Sequence, residues 1–222
     1  MNPLAFAVRG VNIMNNKIII AGIGPGSIDY ISPAALNAIK SSNILVGGKR
    51  ALNQFANDCQ VTFPITGNIQ SSVDFIRDKL LIDNVCVMVS GDPGYYSILN
   101  VIRKNFPAQT IKVIPSISAM QLAFAKLSLS WHNATLLSFH GRRPTDEELK
   151  FTDNKIIGML TDGKFNSHTI PEILMSNGWH GDTKLAICHK LSYDDEQIIQ
   201  TKLLEAAHIE VFKHCILIVG DF

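Results

Sequence analysis

A chain of 222 residues, 46% hydrophobic and 18% charged, is long enough to bury one large core or two cores of about 110 residues each, and such a chain folds without disulfide or metal staples. Its formal net charge of +1 excludes a broad electrostatic attraction to nucleic acid or to an anionic membrane. No apolar run approaches the roughly 20 residues that span a bilayer.

Residues 1–16 read as an N-terminal extension expected to be disordered, with Met14 a second candidate start. Its apolar segment Leu4-Ala-Phe-Ala-Val8 is too short for a secretory core, and Arg9 follows closely, so neither export nor anchoring is indicated. From there short apolar runs alternate with helical stretches. The first half predicts strand Lys17–Gly22, helix Pro33–Ser41, strand Ile44–Val46, helix Lys49–Phe55 and strand Val61–Phe63. Helix Ile69–Leu81, strand Val85–Ser90, helix Tyr96–Lys104 and strand Thr110–Ile114 follow. This repetition argues a parallel-rich sheet. Pro115 changes the chain's direction, a helix Ser118–Lys126 crosses over, and a second set of strands comes at Thr135–Phe139, Ile156–Leu160, Lys184–His189, Glu196–Thr201 and Ile216–Gly220. The expected organisation is an N-terminal α/β domain over 17–115, carrying glycine-rich loops, and a C-terminal α/β domain over 116–222.

Cys59, Cys86, Cys188 and Cys215 show no close-paired spacing, and the last three lie in apolar runs. They are expected to be thiols of a reducing compartment, the cytoplasm. The seven histidines are scattered without metal-ligand spacing, so no protein-bound metal is expected.

Two loops carry most of the chemical information. Val85-Cys-Val-Met-Val-Ser-Gly-Asp-Pro-Gly-Tyr-Tyr96 is a buried apolar run that stops in a Gly/Pro turn holding one acid, and ligands of open α/β sheets sit beyond such strand ends. Upstream, Lys17-Ile-Ile-Ile-Ala-Gly-Ile-Gly-Pro-Gly-Ser-Ile-Asp-Tyr30 runs from a strand into a glycine-rich loop, after which Ser32 caps a helix with Pro33 at its first position. A polar spacer after Gly26 separates this loop from the helix, unlike a dinucleotide fingerprint. Its glycines are suited to let the backbone approach a ligand that lacks phosphate.

Together the two loops resemble those of the tetrapyrrole methylase family, whose members bind S-adenosylmethionine in a cleft between two α/β domains. Ile114-Pro-Ser-Ile-Ser-Ala119 is similar to the family's third loop, Leu160-Thr-Asp-Gly163 to a fourth, and Leu191-Ser-Tyr-Asp-Asp-Glu196 to the segment near a fifth. The ordered motifs span nearly the whole chain. Val46-Gly-Gly-Lys-Arg50, Gln121-Leu-Ala-Phe-Ala-Lys126 and Leu137-Ser-Phe-His-Gly-Arg142 resemble the branch that methylates C-5 of cobalt-precorrin-7 in cobalamin biosynthesis, related to the C5-methylating domain of precorrin-6Y C5,15-methyltransferase. Two departures stand out. Ser116 occupies a third-loop position where many relatives have glycine, and Val46 is followed by Gly47-Gly48 where uroporphyrinogen methylases carry an acid, so that acid's role does not transfer.

The resemblance implies a methyltransferase using S-adenosylmethionine, with Gly22, Gly24, Pro25 and Gly26 flanking the cofactor. Ser90, Gly91 and Asp92 would close on its amino acid end, with Tyr95 one turn further; Ser118 and Ala119 would add contacts. Leu160 and Leu191 correspond to positions whose backbone meets the adenine, and plain core leucines are the other reading. A carboxylate near an ammonium and a sulfonium gives Asp92 a Coulomb role, and an Asx turn is its alternative. The corrin precursor carries acetate and propionate groups, so Arg50 and Arg142 are candidate carboxylate binders. Lys49 and Arg143 read equally as solvated loop charge. His140 is the candidate catalytic group, with carboxylate binding and a structural hydrogen bond as alternatives. Methyl transfer asks mainly for alignment and exclusion of water, so a site dominated by binding groups is expected.

The resemblance further implies a homodimer and a separate enzyme for the C-15 methylation and decarboxylation. Competing readings are a methylase of the same fold acting on ribosomal RNA or on a translation factor, and a non-enzymatic carrier of cofactor or tetrapyrrole. The near-zero charge argues against RNA.

Overall fold

The computed structural model describes residues 16–222; residues 1–15, most of the expected extension, lie outside them. The chain divides into two compact units, one made of residues 16–24 with Ile28–Ser116 and the other of Pro25–Ser27 with Ile117–Phe222. Ser116 therefore sorts with the first unit, and Pro25–Ser27 sort with the second. Local bonds account for both. The Ser116 amide donates to Asp92 Oδ2 at 3.0 Å, whereas the Ser27 amide donates to Ser192 Oγ at 3.0 Å.

In the first unit five strands, β1 (Ile18–Gly22), β2 (Ile44–Gly47), β3 (Val61–Pro64), β4 (Val85–Val89) and β5 (Ile111–Ile114), form one sheet in the order β3-β2-β4-β1-β5. Every pairing in it is parallel. Parallel strands need both faces covered, and β4 is buried along its whole length. Alternate side chains serve opposite faces. Ile18, Ile20, Val85 and Val87 pack with Val73 and Ile76 of α3 (Ile69–Leu80) and Ile102 of α4 (Leu99–Asn105). Ala21, Leu45, Cys86 and Met88 pack instead with Ala35 and Ile39 of α1 (Pro33–Ser41) and Leu52 of α2 (Lys49–Phe55). The helices that follow β1 and β4 thus lie on opposite faces, which opens a crevice at the carboxyl ends of these two neighbouring strands. Ser32 caps α1 by accepting from the Ala35 amide at 3.2 Å, a bond worth about 1 kcal/mol.

The second unit builds a mixed sheet from β6 (Thr135–Ser138), β7 (Ile157–Leu160), β8 (Lys184–His189), β9 (Gln197–Lys202) and β10 (Ile216–Gly220), in the order β6-β7-β10-β8-β9. β6 and β7 run parallel, and the other pairings are antiparallel. Leu137, Ile157, Met159, Leu185 and Leu217 point into one core with Ile170 and Leu174 of α7 (Thr169–Ser176). There the buried Trp179 satisfies its indole by donating to the Leu149 carbonyl at 2.7 Å. α5 (Ala119–Lys126) covers the other face, where Gly158 makes room for it: a Cβ at Gly158 would stand 2.6 Å from Met120 Sδ and 3.0 Å from the Phe124 ring.

Two differences from the sequence reading have physical causes. The helix expected from Tyr96 begins at Leu99, because Tyr96 has φ +49° and the Leu99 amide is taken up by Ser97 Oγ at 3.1 Å. Among the strands of the second half lie two helices beyond the expected elements, α6 (Asp146–Leu149) and α7. α6 has a capping box, Thr145 with Glu148, and that spacing is visible in the sequence. Cys86, Cys188 and Cys215 are buried and unpaired, and burial pushes the first two thiols up to about 12 and the third to about 11.

Candidate functional site

In the first unit three loops converge on the end of β1. The Ile23 amide donates to the Val89 carbonyl at 2.9 Å and the Gly91 amide to the Gly24 carbonyl at 2.7 Å, which carries the pairing of β1 and β4 beyond the sheet as a bridge between Gly24 and Gly91. Both glycines sit at positive φ, +73° and +69°, where a side chain is strained. Gly22 is hemmed in: a Cβ there would lie 2.7 Å from Ser116 Cβ, 2.8 Å from the Gly91 carbonyl oxygen and 2.8 Å from Pro93 Cδ. The glycines of the two sequence loops therefore act together, packing backbone against backbone at the crevice.

Asp92 uses both carboxylate oxygens on backbone amides. Oδ1 accepts from Gly94 at 2.7 Å and Oδ2 from Ser116 at 3.0 Å. The first is the Asx turn weighed from the sequence; the second ties the loop after β4 to the segment after β5. Ser90, next to Gly91, accepts from Arg50 Nη2 at 3.2 Å, so this arginine at the start of α2 reaches the same strand ends. The Tyr95 hydroxyl is buried with no hydrogen-bond partner among the described residues. Burial, reinforced by Tyr96, pushes its pKa up. An unpartnered buried hydroxyl costs about 1–3 kcal/mol, so this one, carried by the loop after β4, has a donor to offer a ligand or water.

In the second unit Pro25, Ala119 and Leu191 line one cavity of about 120 Å³ together with Lys190, Tyr193 and His214. Drug-sized pockets run to about 300–1,000 Å³, so this cavity suits one ring of a larger ligand. Its rim is conformationally unusual. Lys190, Ser192 and His214 have φ of +48°, +73° and +53°, and such non-glycine residues persist where the surroundings over-determine them. The Ser192 amide donates to Glu196 Oε2 at 2.7 Å, and Glu196 pairs with Lys126 at 2.7 Å. Burial raises the Glu196 pKa, but the bonds from Lys126 and Ser192 outweigh it and hold the carboxyl below the usual carboxylate range. Gly26 packs so closely on Tyr193 that a Cβ would meet its ring at 2.5 Å.

The remaining predicted residues fall differently. Ser118 spends its hydroxyl on capping α5, accepting from the Gln121 amide at 3.1 Å, while its own amide donates to Gln121 Oε1 at 2.8 Å and its carbonyl accepts from the Leu122 amide at 3.1 Å. Leu160, at the end of β7, is half-buried and outside the cavity lining, and its carbonyl already accepts from the Phe139 amide at 2.8 Å. Arg142 is exposed and lies within electrostatic reach of Glu148. Arg143 pairs with Asp146 at 2.6 Å on α6, the plain surface role.

His140, exposed in the loop after β6, has its ring centroid 6.2 Å from that of His214. That partner was missed in the sequence, where a lone histidine before an apolar run carries no signal. Asp162 accepts from the Gly141 amide at 2.9 Å through Oδ2, and from Lys164 and Phe165 at 2.8 and 2.7 Å through Oδ1. Its partial burial works against ionisation, but these amide bonds and the nearby His140 outweigh it and hold the carboxyl below its ordinary value.

Residues 17–207 match the family description Tetrapyrrole (Corrin/Porphyrin) Methylases. The chain is 30% identical to the cobalt-precorrin-7 C(5)-methyltransferase of Salmonella typhimurium, over 82% of this chain and 88% of that one. It is 28% identical to the probable cobalt-precorrin-7 C(5)-methyltransferase of Methanocaldococcus jannaschii, over 86% and 92%. The solved uroporphyrin-III C-methyl transferase of Thermus thermophilus, complexed with S-adenyl homocysteine, has the same fold, with a TM-score of 0.73 at 16% identity over 93% of this chain and 98% of that one. With a family match running from β1 to the last turn before β10, and with two α/β units of the kind the motifs called for, the chain belongs to the tetrapyrrole methylases.

Proposed function

We propose that this protein is an S-adenosylmethionine-dependent C-methyltransferase acting on C-5 of cobalt-precorrin-7, or of its metal-free counterpart, in cobalamin biosynthesis. The similarity to two C(5)-methyltransferases over most of both chains supports the substrate class. One geometric observation carries the reading: the loops after β1, β4 and β5 converge on Gly22 at the carboxyl end of the parallel sheet, where a Cβ would meet Ser116, Gly91 and Pro93. This is the environment of a close-fitting ligand rather than of a nucleophile or an acid–base pair.

The residues fit the cofactor. Gly22, Gly24 and Gly91 keep the crevice free of side chains, Asp92 fixes its loop, and Ser90 and Tyr95 offer hydroxyls to the amino acid end. Pro25, Gly26, Ala119 and Leu191 are assigned to the ring end, with Ser118 and Leu160 as flanking positions. When bound, S-adenosylmethionine supplies an activated methyl group. The chain's own residues then contribute alignment and exclusion of water, which together remove several kcal/mol from a bimolecular barrier. Arg50 and Arg142 are assigned to substrate carboxylates, and His140 stands on the same loop as Arg142.

Among the described residues no helix is long and apolar enough to cross a membrane. The unpaired thiols support a reducing cytoplasm as the site of action. We also propose a homodimer, which light scattering checks. The C-15 methylation and decarboxylation are assigned to another catalytic unit, since both α/β units here belong to one methylase fold.

The test is mass spectrometry of the products after incubation with S-adenosylmethionine and metallated or metal-free intermediates. A single added methyl at C-5 is the expected result. Methylation of RNA or of a translation factor, or tight corrinoid binding without turnover, overturns the reading.

A further inference from the structure

Two histidines far apart in sequence are brought together by one dipeptide. Thr161 Oγ1 accepts from the Cys215 amide at 2.7 Å and donates to the Cys215 carbonyl at 2.9 Å, locking the backbone next to His214. Its neighbour Asp162 accepts from the Gly141 amide at 2.9 Å and so locks the backbone next to His140. Gly141 and His214 both hold left-handed conformations, at φ +71° and +53°, which these bonds help to maintain. The imidazole centroids end 6.2 Å apart with their planes tilted by 53°.

We infer that His140 and His214 form a two-imidazole clamp for one carboxylate of the corrin substrate, with Thr161 and Asp162 as its positioning residues. The inference deepens the functional reading above and rests on it. Each imidazole offers at least one N–H donor, and a carboxylate offers two acceptor oxygens. Asp162 spends both of its oxygens on amides, so the pair presents donors to an anion rather than completing a metal-ligand set. Arg142 lies two residues beyond His140 on the same loop, and Lys190, paired with Asp195, stands at the cavity that His214 lines. The substrate's acetate and propionate groups are the anions this arrangement would recognise. Supporting loops fixed by hydrogen bonds reduce the ordering that binding requires.

The test titrates a metallated polycarboxylate corrinoid into wild type, His140→Ala, His214→Ala and the double variant, following visible absorbance, with S-adenosylhomocysteine affinity measured by calorimetry in parallel. Each single variant is expected to weaken corrinoid binding about tenfold, the loss of one charge-assisted hydrogen bond. S-adenosylhomocysteine affinity should stay within about twofold in the His140 variant, and the His214 variant, whose ring also lines the cavity assigned to the cofactor, should lose less for S-adenosylhomocysteine than for the corrinoid. The double variant should lose less than the product of the singles, because both rings hold one group. Thr161→Val should weaken corrinoid binding in the same direction with His214 still present, whereas a merely structural threonine would shift only the melting temperature.

Unchanged corrinoid binding in both single variants overturns the clamp. So does an equal loss of S-adenosylhomocysteine affinity in His214→Ala, which would place that ring with the cofactor. His140 is exposed and its substitution leaves no core cavity, so that arm decides the matter if His214→Ala does not fold. Wild type that binds neither ligand would instead sink the functional reading, and the clamp with it.

Discussion

Asp92 in the first unit and Asp162 in the second stand just past the ends of β4 and β7 and use their oxygens alike. Each commits Oδ1 to its own turn, Asp92 to Gly94 and Asp162 to Lys164 and Phe165, and each commits Oδ2 to a distant loop, at Ser116 and Gly141 respectively. The sheets around them differ. The first is all parallel, while in the second the parallel pairing is that of β6 with β7, the two strands whose loops Asp162 joins. Parallel strands end at the same edge of a sheet, so a carboxylate at the end of one can tie down the loop that follows another. What the two tethers hold is different: glycine-rich backbone assigned to the cofactor in one unit, His140 and Arg142 assigned to the substrate in the other.

Substitutions can break this division. The largest effect is expected from Asp92→Ala, which frees two amides and should raise the dissociation constant of S-adenosylhomocysteine about thirty- to hundredfold, roughly 2–3 kcal/mol. Corrinoid KM at saturating cofactor should stay within about threefold. Calorimetry that finds cofactor affinity unchanged while the protein melts far earlier would reduce Asp92 to a turn residue. Next in size is Arg142→Ala, for which corrinoid KM should rise about ten- to hundredfold with cofactor affinity intact, the loss of one charge-assisted contact worth about 1.5–3 kcal/mol. Equal damage to both ligands would mark a structural arginine.

Asp162→Asn should raise corrinoid KM about tenfold and leave cofactor affinity alone, because an amide keeps one acceptor of the two. Its pH dependence sharpens the point. The Asp162 carboxyl is held below its ordinary value in the folded protein, so its contribution to stability is complete above the unfolded pKa of about 4 and is lost as pH falls through the lower folded value. Melting curves of wild type and Asp162→Asn should therefore differ at neutral pH and converge in acid. A gap that persists at the lowest pH would mean the effect is steric. The smallest effect is expected from His140→Gln, whose turnover with saturating ligands should stay within about tenfold, since glutamine keeps a donor but cannot take a proton. A thousandfold fall in turnover with both ligands still bound would make His140 a general base and recast the second loop as catalytic.

Most elements and the two strand-end loops were legible in the residues alone. Uninterrupted apolar runs such as Val85–Val89 read as fully covered strands, Ser32-Pro33 announces a helix start, and Gly22, Gly24 and Gly91 are needed where backbone meets backbone. These signals are local, and local propensity survives in the fold when tertiary contacts agree with it. Helix α6 was equally legible through its Thr145/Glu148 spacing and was overlooked. The Tyr96 boundary was not legible, because nothing in the residue itself requires its positive φ.

Which groups each polar side chain serves depends instead on the assembled fold. Asp92 finds an amide 24 residues away and Thr161 one 54 residues away; Ser118 turned inward to cap its own helix, and His214 came to face His140. Sequence periodicity reports which side of an element is buried, but a carboxylate or an imidazole selects its partner only after strand order and register have set which loops share an edge.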